Sequence, residues 1–142
     1  MSEHDNESRL RGFIEDVWNR GDVEAAARYI APRYTIRHDP GDPWDGKTLD
    51  LPAYRERVRL SRAPFPDQRF TIRELLADPG RVFIAWDWLA THQGDLPGFP
   101  ATGKPIRMSG ATVYYVEDGR FSGHWQIADR LGVYGQLRQS AA

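Results

Sequence analysis

The chain of 142 residues has no cysteine, which excludes disulfides, thiolate nucleophiles and thiolate metal ligands. It also lacks any apolar run near the roughly 18–20 residues that a membrane-spanning helix needs. The polar start, residues 1–11, does not read as a signal peptide, so a cytoplasmic protein is expected. Neither sign of charge is in excess. Nineteen Lys and Arg against twenty Asp and Glu leave a formal charge of -1, so no overall field would draw nucleic acid or an anionic membrane. The four histidines, at 4, 38, 92 and 124, have neither the helical i, i+4 spacing nor the accompanying glutamate of a metal motif, and none is predicted. No serine sits on a nucleophile elbow. Residues 98–104 match the spacing of a phosphate-binding loop, but Pro105 follows where a hydroxyl is needed, and a strand follows instead of a helix. The segment reads as a hairpin loop over a cavity mouth.

Aromatics are plentiful: five Trp, six Tyr and six Phe, enough for the core of one domain spanning 1–142. Residues 1–7 read as a loose arm. From Ser8, Leu10, Phe13, Ile14, Val17 and Trp18 follow a helical stripe that ends at Gly21. Asp22 can cap a second short helix, and Asp50 a third that runs to about Arg62 with Pro52 in its first turn. The arginines of that third helix read as a solvated face. Between them Tyr34, Ile36 and His38 alternate on one side of a strand, and Trp44 is expected to fold back from a Pro/Gly/Asp loop. The rest reads as strands, with residues 135–142 a peripheral tail. The predicted class is α+β, with a strongly curved antiparallel sheet wrapped around N-terminal helices.

Residues 106–129 are the most informative stretch. A three-residue loop at Glu117-Asp118-Gly119 would pair Thr112 with His124 and Gly110 with Gln126. One face then carries Thr112, Tyr114, His124 and Gln126; the other carries Val113, Tyr115, Phe121, Trp125 and Ile127. The first face is too polar for a core and too aromatic for a surface, as a pocket wall would be. The second is an apolar patch that predicts a homodimer through the outer sheet face.

Residues 17–22, Pro66-Asp67, residues 90–94, residues 100–104 and the run from Asp118-Gly119 through Trp125 to Asp129 occur in the order found in SnoaL-like proteins. Over nearly its whole length the chain resembles this polyketide (ester) cyclase branch of the NTF2-like superfamily. The resemblance implies a cone with a deep internal cavity and a cofactor-free aldol closure by a pocket Asp assisted by a His. The same fold also serves isomerases, dehydratases and epoxide hydrolases. Alignment on Asp118-Gly119 and His124 puts Gln126 in the place of that Asp and Thr112 in the place of the assisting His. Both departures exchange a titrating group for one that only hydrogen-bonds. Asp129 fits an acidic position common in the wider family.

The expected chemistry is therefore proton transfer beside a carbonyl, without cofactor or metal, on a small apolar or aromatic ligand. It would give cyclisation, isomerisation or dehydration. Asp129 and His124 would trade the proton. Gln126, Thr112 and Tyr114 would bind the oxygen that becomes negative, while His38 and Trp18 shape the cavity. Trp86 and Trp88 fit the same aromatic lining, His92 would organise its loop, and Asp87 would face outward or pair with Arg107. The alternatives are a ligand-binding domain without turnover, or an epoxide hydrolase, which would need an Asp–Arg–Asp grouping that spacing alone does not reveal.

Overall fold

The computed structural model describes residues 2–141, with the side chains of Ser140 and Ala141 left aside. Helix α1 (Glu3–Phe13) starts at a reciprocal cap: Ser2 Oγ accepts from the Asp5 amide, and the Asp5 carboxylate accepts from Ser2. It continues as π-helical turns, Ile14–Asn19, that carry Trp18. A 3₁₀ turn (Val23–Ala25), capped by Asp22, leads into α2 (Ala26–Tyr29). Strand β1 (Ile30–His38) and the short β2 (Thr48–Leu49) precede α3 (Leu51–Arg62), which Asp50 caps. Then come β3 (Arg69–Ala77), β4 (Arg81–Thr91), β5 (Pro105–Glu117), β6 (Arg120–Ala128) and α4 (Arg130–Ala141).

The expected class holds: a curved, unclosed six-stranded sheet in the order β2-β1-β6-β5-β4-β3 packs against the helices. Its core includes Phe13, Val17, Tyr34, Tyr54, Ile84 and Phe121, all buried. One pair departs from the antiparallel expectation, because β1 runs parallel to β6.

Two terminal segments differ from their sequence readings. Of the arm predicted over residues 1–7, Met1 lies outside the described residues. Glu3 through Glu7 are helical, and buried Asn6 donates to the carbonyls of Asp78 and Pro79. The tail expected to be peripheral, residues 135–142, belongs to helix α4 and docks on the sheet, although Ala142 lies outside the described residues. Leu137 of α4 is buried. Gln136 hooks the helix to β5, accepting from the Arg107 amide at 2.7 Å and donating to its carbonyl at 2.7 Å.

The hairpin register differs by two residues, and the faces survive for that reason. Asp118 and Gly119 both take positive φ, 50° and 75°, closing a two-residue turn that pairs Glu117 with Arg120. A bulge at Ser122 supplies the second step, so Tyr114 meets His124 and Thr112 meets Gln126. An even shift keeps side-chain parity. Before the bulge the parity is odd. Phe121 therefore turns inward against Phe13 and Tyr114, instead of lying on the outer face where alternation had put it.

Candidate active site

The sheet's concave face and the helices enclose a cavity of about 420 Å³. Its body is apolar and aromatic: Trp18 from the π-helical turns, Phe65, Phe70, and Trp86 and Trp88 side by side on β4. Trp44 folds back onto its rim, as expected. Phe99 meets Tyr134 of α4 at the mouth, which Leu96 and Pro97 also line. Buried His92 sits at the base of that mouth loop, its backbone bonded to Gly103 and Lys104.

The polar end is built where β1 and β6 meet. A register shift between Ile36 and His38 spends two residues of β1 against one of β6. Inward alternation thus breaks after Tyr34 and Ile36. His38 swings to the outer face and stacks on Trp125 at 4.4 Å, and Asp39 turns in. His38 is a correction to the predicted cavity residues.

Asp39 is the centre of the site and has no exposed surface. Its Oδ2 lies 2.9 Å from His124 Nε2, and its Oδ1 accepts from Arg130 at 2.7 Å. Gln126 Nε2 donates to both oxygens at 3.2 Å, and Arg57 lies 3.6 Å away. Arg57 also donates to Asp42 at 2.9 Å and packs its guanidinium near Trp18 and Tyr54. On the other side of the imidazole, Tyr34 Oη lies 2.6 Å from Nδ1. Trp86 donates to Thr112 at 2.9 Å, and Thr112 donates to Gln126 at 2.7 Å.

The electrostatics follow from this packing. Burial alone would raise the Asp39 carboxyl, but the hydrogen bond from His124 and the Arg130 charge outweigh it, and the group stays ionised below its ordinary value. Burial presses His124 below an ordinary imidazole, against the pull of Asp39 and with Arg57 adding repulsion. The imidazole is therefore neutral at pH 7. Burial lifts Tyr34 well above an ordinary phenol and Tyr54 to about 12. An anionic Asp39 can only accept, so Nε2 carries the hydrogen and Nδ1 accepts from Tyr34 O–H. Asp39 and Asp42 balance Arg57 and Arg130.

Of the residues singled out in the sequence, His124, Gln126, Tyr114 and Trp18 line the cavity. Thr112 is buried just behind the wall. Asp129 is not brought to them. It is exposed and caps α4, accepting from the Gly132 amide at 3.0 Å. Asp87 takes the outward face, the first of its two expected placements, and pairs there with Arg73 at 2.6 Å instead of with Arg107. The third helix is not wholly a solvated face, since Arg57 is buried.

Asp39, Asp42, Arg57 and Arg130 escaped the sequence reading. A signal existed for Arg57: Tyr54, Arg57, Val58 and Ser61 share one face of α3, so an arginine stands on an otherwise inward stripe. Nothing in strand periodicity announces the bulge that brings in Asp39. Among the described residues no cluster of histidines and carboxylates is spaced to hold a metal ion, and no helix is long and apolar enough to cross a membrane.

A search of curated proteins finds no match. Solved structures do match. A candidate polyketide cyclase from Acidithiobacillus ferrooxidans is 57% identical, covering 96% of each chain with a TM-score of 0.92. IdmH, a candidate polyketide cyclase from Streptomyces antibioticus, is 27% identical over 93% of this chain and 97% of its own, with a TM-score of 0.78. AclR, a candidate hydroxylase from Streptomyces galilaeus, shares the fold at 18% identity, with a TM-score of 0.79 over 97% of this chain and 83% of its own. The family model for SnoaL-like polyketide cyclase matches residues 8–137. With that match over most of its length, the chain belongs to the SnoaL-like polyketide cyclase family.

Proposed function

We propose that the chain is a cofactor-free acid/base catalyst that closes a ring, by an intramolecular aldol step, in a mainly apolar carbonyl compound. The observation that carries this reading is the chain Tyr34–His124–Asp39, set at the polar end of an aromatic cavity of about 420 Å³. Tyr34 gives its hydroxyl proton to His124 Nδ1 as its oxygen takes the proton from the substrate α-carbon. The imidazolium formed is held by Asp39. The enolate oxygen is met by the Tyr114 hydroxyl, which has no hydrogen-bond partner among the described residues, and by the Arg57 guanidinium at the wall. The enolate carbon then bonds a second carbonyl carbon of the same molecule. The resulting alkoxide takes its proton from Tyr34, which recovers its own from His124. Without ligand the Tyr34 hydroxyl is covered, and catalytic contacts of this kind tighten when substrate seats.

The test is deuterium incorporation. Enolisable aryl ketones incubated with the protein in heavy water are expected to take up label at the α-carbon, read by mass spectrometry. If every ketone that binds in a thermal-shift screen stays unlabelled, the proposal fails.

A second reading has its own observation: Arg57 lies between Asp42 at 2.9 Å and Asp39 at 3.6 Å, the Asp–Arg–Asp grouping that water-driven epoxide opening requires. Incubation of apolar epoxides in ¹⁸O-water separates the two. Labelled diol supports the epoxide reading, and its absence alongside ketone exchange supports the cyclase. We also propose that the protein is cytoplasmic and works as a homodimer through the outer sheet face. What supports the dimer is the exposure there of Trp125 (41%) and Ile127 (48%).

A further inference from the structure

A line of hydrogen bonds crosses the sheet along the cavity wall, and only one direction of donation is possible along it. The indole of Trp86 can only donate, and its Nε1–H is given to Thr112 Oγ1 at 2.9 Å. That occupies a lone pair of Thr112, whose own hydrogen goes to Gln126 Oε1 at 2.7 Å. With its oxygen engaged, the Gln126 amide is oriented so that Nε2 faces Asp39, 3.2 Å from each carboxylate oxygen. Asp39 accepts from Gln126, and from the other side it accepts Nε2–H of His124 at 2.9 Å.

We propose that Gln126, Thr112 and Trp86 are positioning residues that fix the plane of the Asp39 carboxylate and, through it, the tautomer of His124. Arg130 and Arg57 also reach Asp39, yet neither does this work. Arg130 comes from α4 and bonds Oδ1, and Arg57 lies 3.6 Å from Oδ2. Among the described residues Gln126 alone spans both oxygens, and it does so from β6, the strand that carries His124. Thr112 and Trp86 have no other side-chain hydrogen-bond partner among the described residues. The buried hydroxyl and indole N–H are therefore committed to this one line. Its register is built in: Trp86 faces Gly110, where any Cβ would collide with the indole, and Thr112 faces Gln126.

Any contribution of this line to turnover rests on the acid/base reading above, whereas its hold on the imidazole does not. The test is therefore made on ligand-free protein by ¹⁵N NMR of the histidine side chains at pH 7.5, with His124 assigned by its loss in H124Q. The wild type is expected to show a single Nε2–H tautomer with a solvent-protected, strongly hydrogen-bonded proton. Thr112→Val removes both bonds of the hydroxyl at nearly constant volume. Gln126→Met removes the amide. Each is expected to lose the protected proton signal and to give a mixture of tautomers, and Thr112→Ser is expected to restore the wild-type pattern. Folding is checked by the backbone amide spectrum, and Trp86→Phe, which deletes the first donor together with part of the ring, stands in for either variant that does not fold. If the folded variants keep the wild-type tautomer and protected proton, the inference is overturned. A wild type that shows the fixed tautomer yet exchanges no ketone proton would sink the acid/base reading alone.

Discussion

Asp39 shows how much one side chain's surroundings decide. A carboxylate without solvent would normally take a proton, but here the His124 bond and the Arg130 charge keep it ionised. Asp39→Asn keeps the shape and removes the charge, leaving Arg130 and Arg57 with one anion, Asp42, between them. The expected cost is about 3–5 kcal/mol in urea unfolding, the scale for breaking a buried ion pair from one side. The imidazole makes a pH prediction. Its folded pKa is lowered, so below about 6.5 the unfolded chain binds a proton that the native state refuses. Stability present above that pH is lost as pH falls towards the lowered value. Asp39, also lowered, adds a second loss below the ordinary carboxylate value. The melting temperature should decline from pH 7 to pH 5, and His124→Gln should flatten that decline. A wild-type melting temperature rising over this interval would contradict the assignment.

At the scale of elements, the seam between β1 and β6 makes the site. Gly123 lies on β6 beside Thr35, where an added Cβ would strike the Thr35 carbonyl, a backbone atom that cannot step aside. Gly123→Ala is expected to cost about 2 kcal/mol, in the range of overpacked sites, and to separate Asp39 from His124. Chemical denaturation and the His124 side-chain resonances check the two effects. A variant of wild-type stability with an unchanged imidazole would show that the seam is loose. This seam also explains what could be read in advance. Alternation assigned Thr112, Tyr114, His124 and Gln126 to one face, and a register error of two residues left that unchanged. A single-residue bulge does the opposite. One sits at Ser122 and misled the placement of Phe121; the other follows Ile36 and exchanged His38 for Asp39. Bulges have no period, so a periodic argument cannot see them. Helix α4 hid for a different reason: Gly132 and Gly135 weaken its propensity, and its docking depends on Leu137 and on Gln136 reaching the side of β5 that β6 leaves unpaired at Arg107.

For the molecule as a whole, the curved sheet was legible because the helical stripe ends at Gly21 and long alternating strands follow, which leaves one way to cover the apolar face. The polar end of the cavity was not. Its groups come from β1, the following loop, α3, β6 and α4, and no spacing in the chain foretells such a meeting. The proposed dimer also belongs to this scale. Sedimentation at micromolar concentration is expected to give twice the monomer mass, and Trp125→Glu, which charges the exposed outer face, is expected to give the monomer. A monomeric wild type would remove the proposal.

The most direct measurement compares two carboxylates. Asp129 is the acid that the sequence favoured, and it stands exposed at a helix cap where asparagine serves equally well. Asp39 is the one beside the imidazole. The rate of α-deuterium uptake by a bound aryl ketone is predicted to fall by about 10²–10⁴ in folded Asp39→Asn, which disables the Tyr34–His124 acid/base pair that Asp39 holds, and to stay at the wild-type level in Asp129→Asn. Loss of exchange in Asp129→Asn, with Asp39→Asn unaffected, would contradict the account.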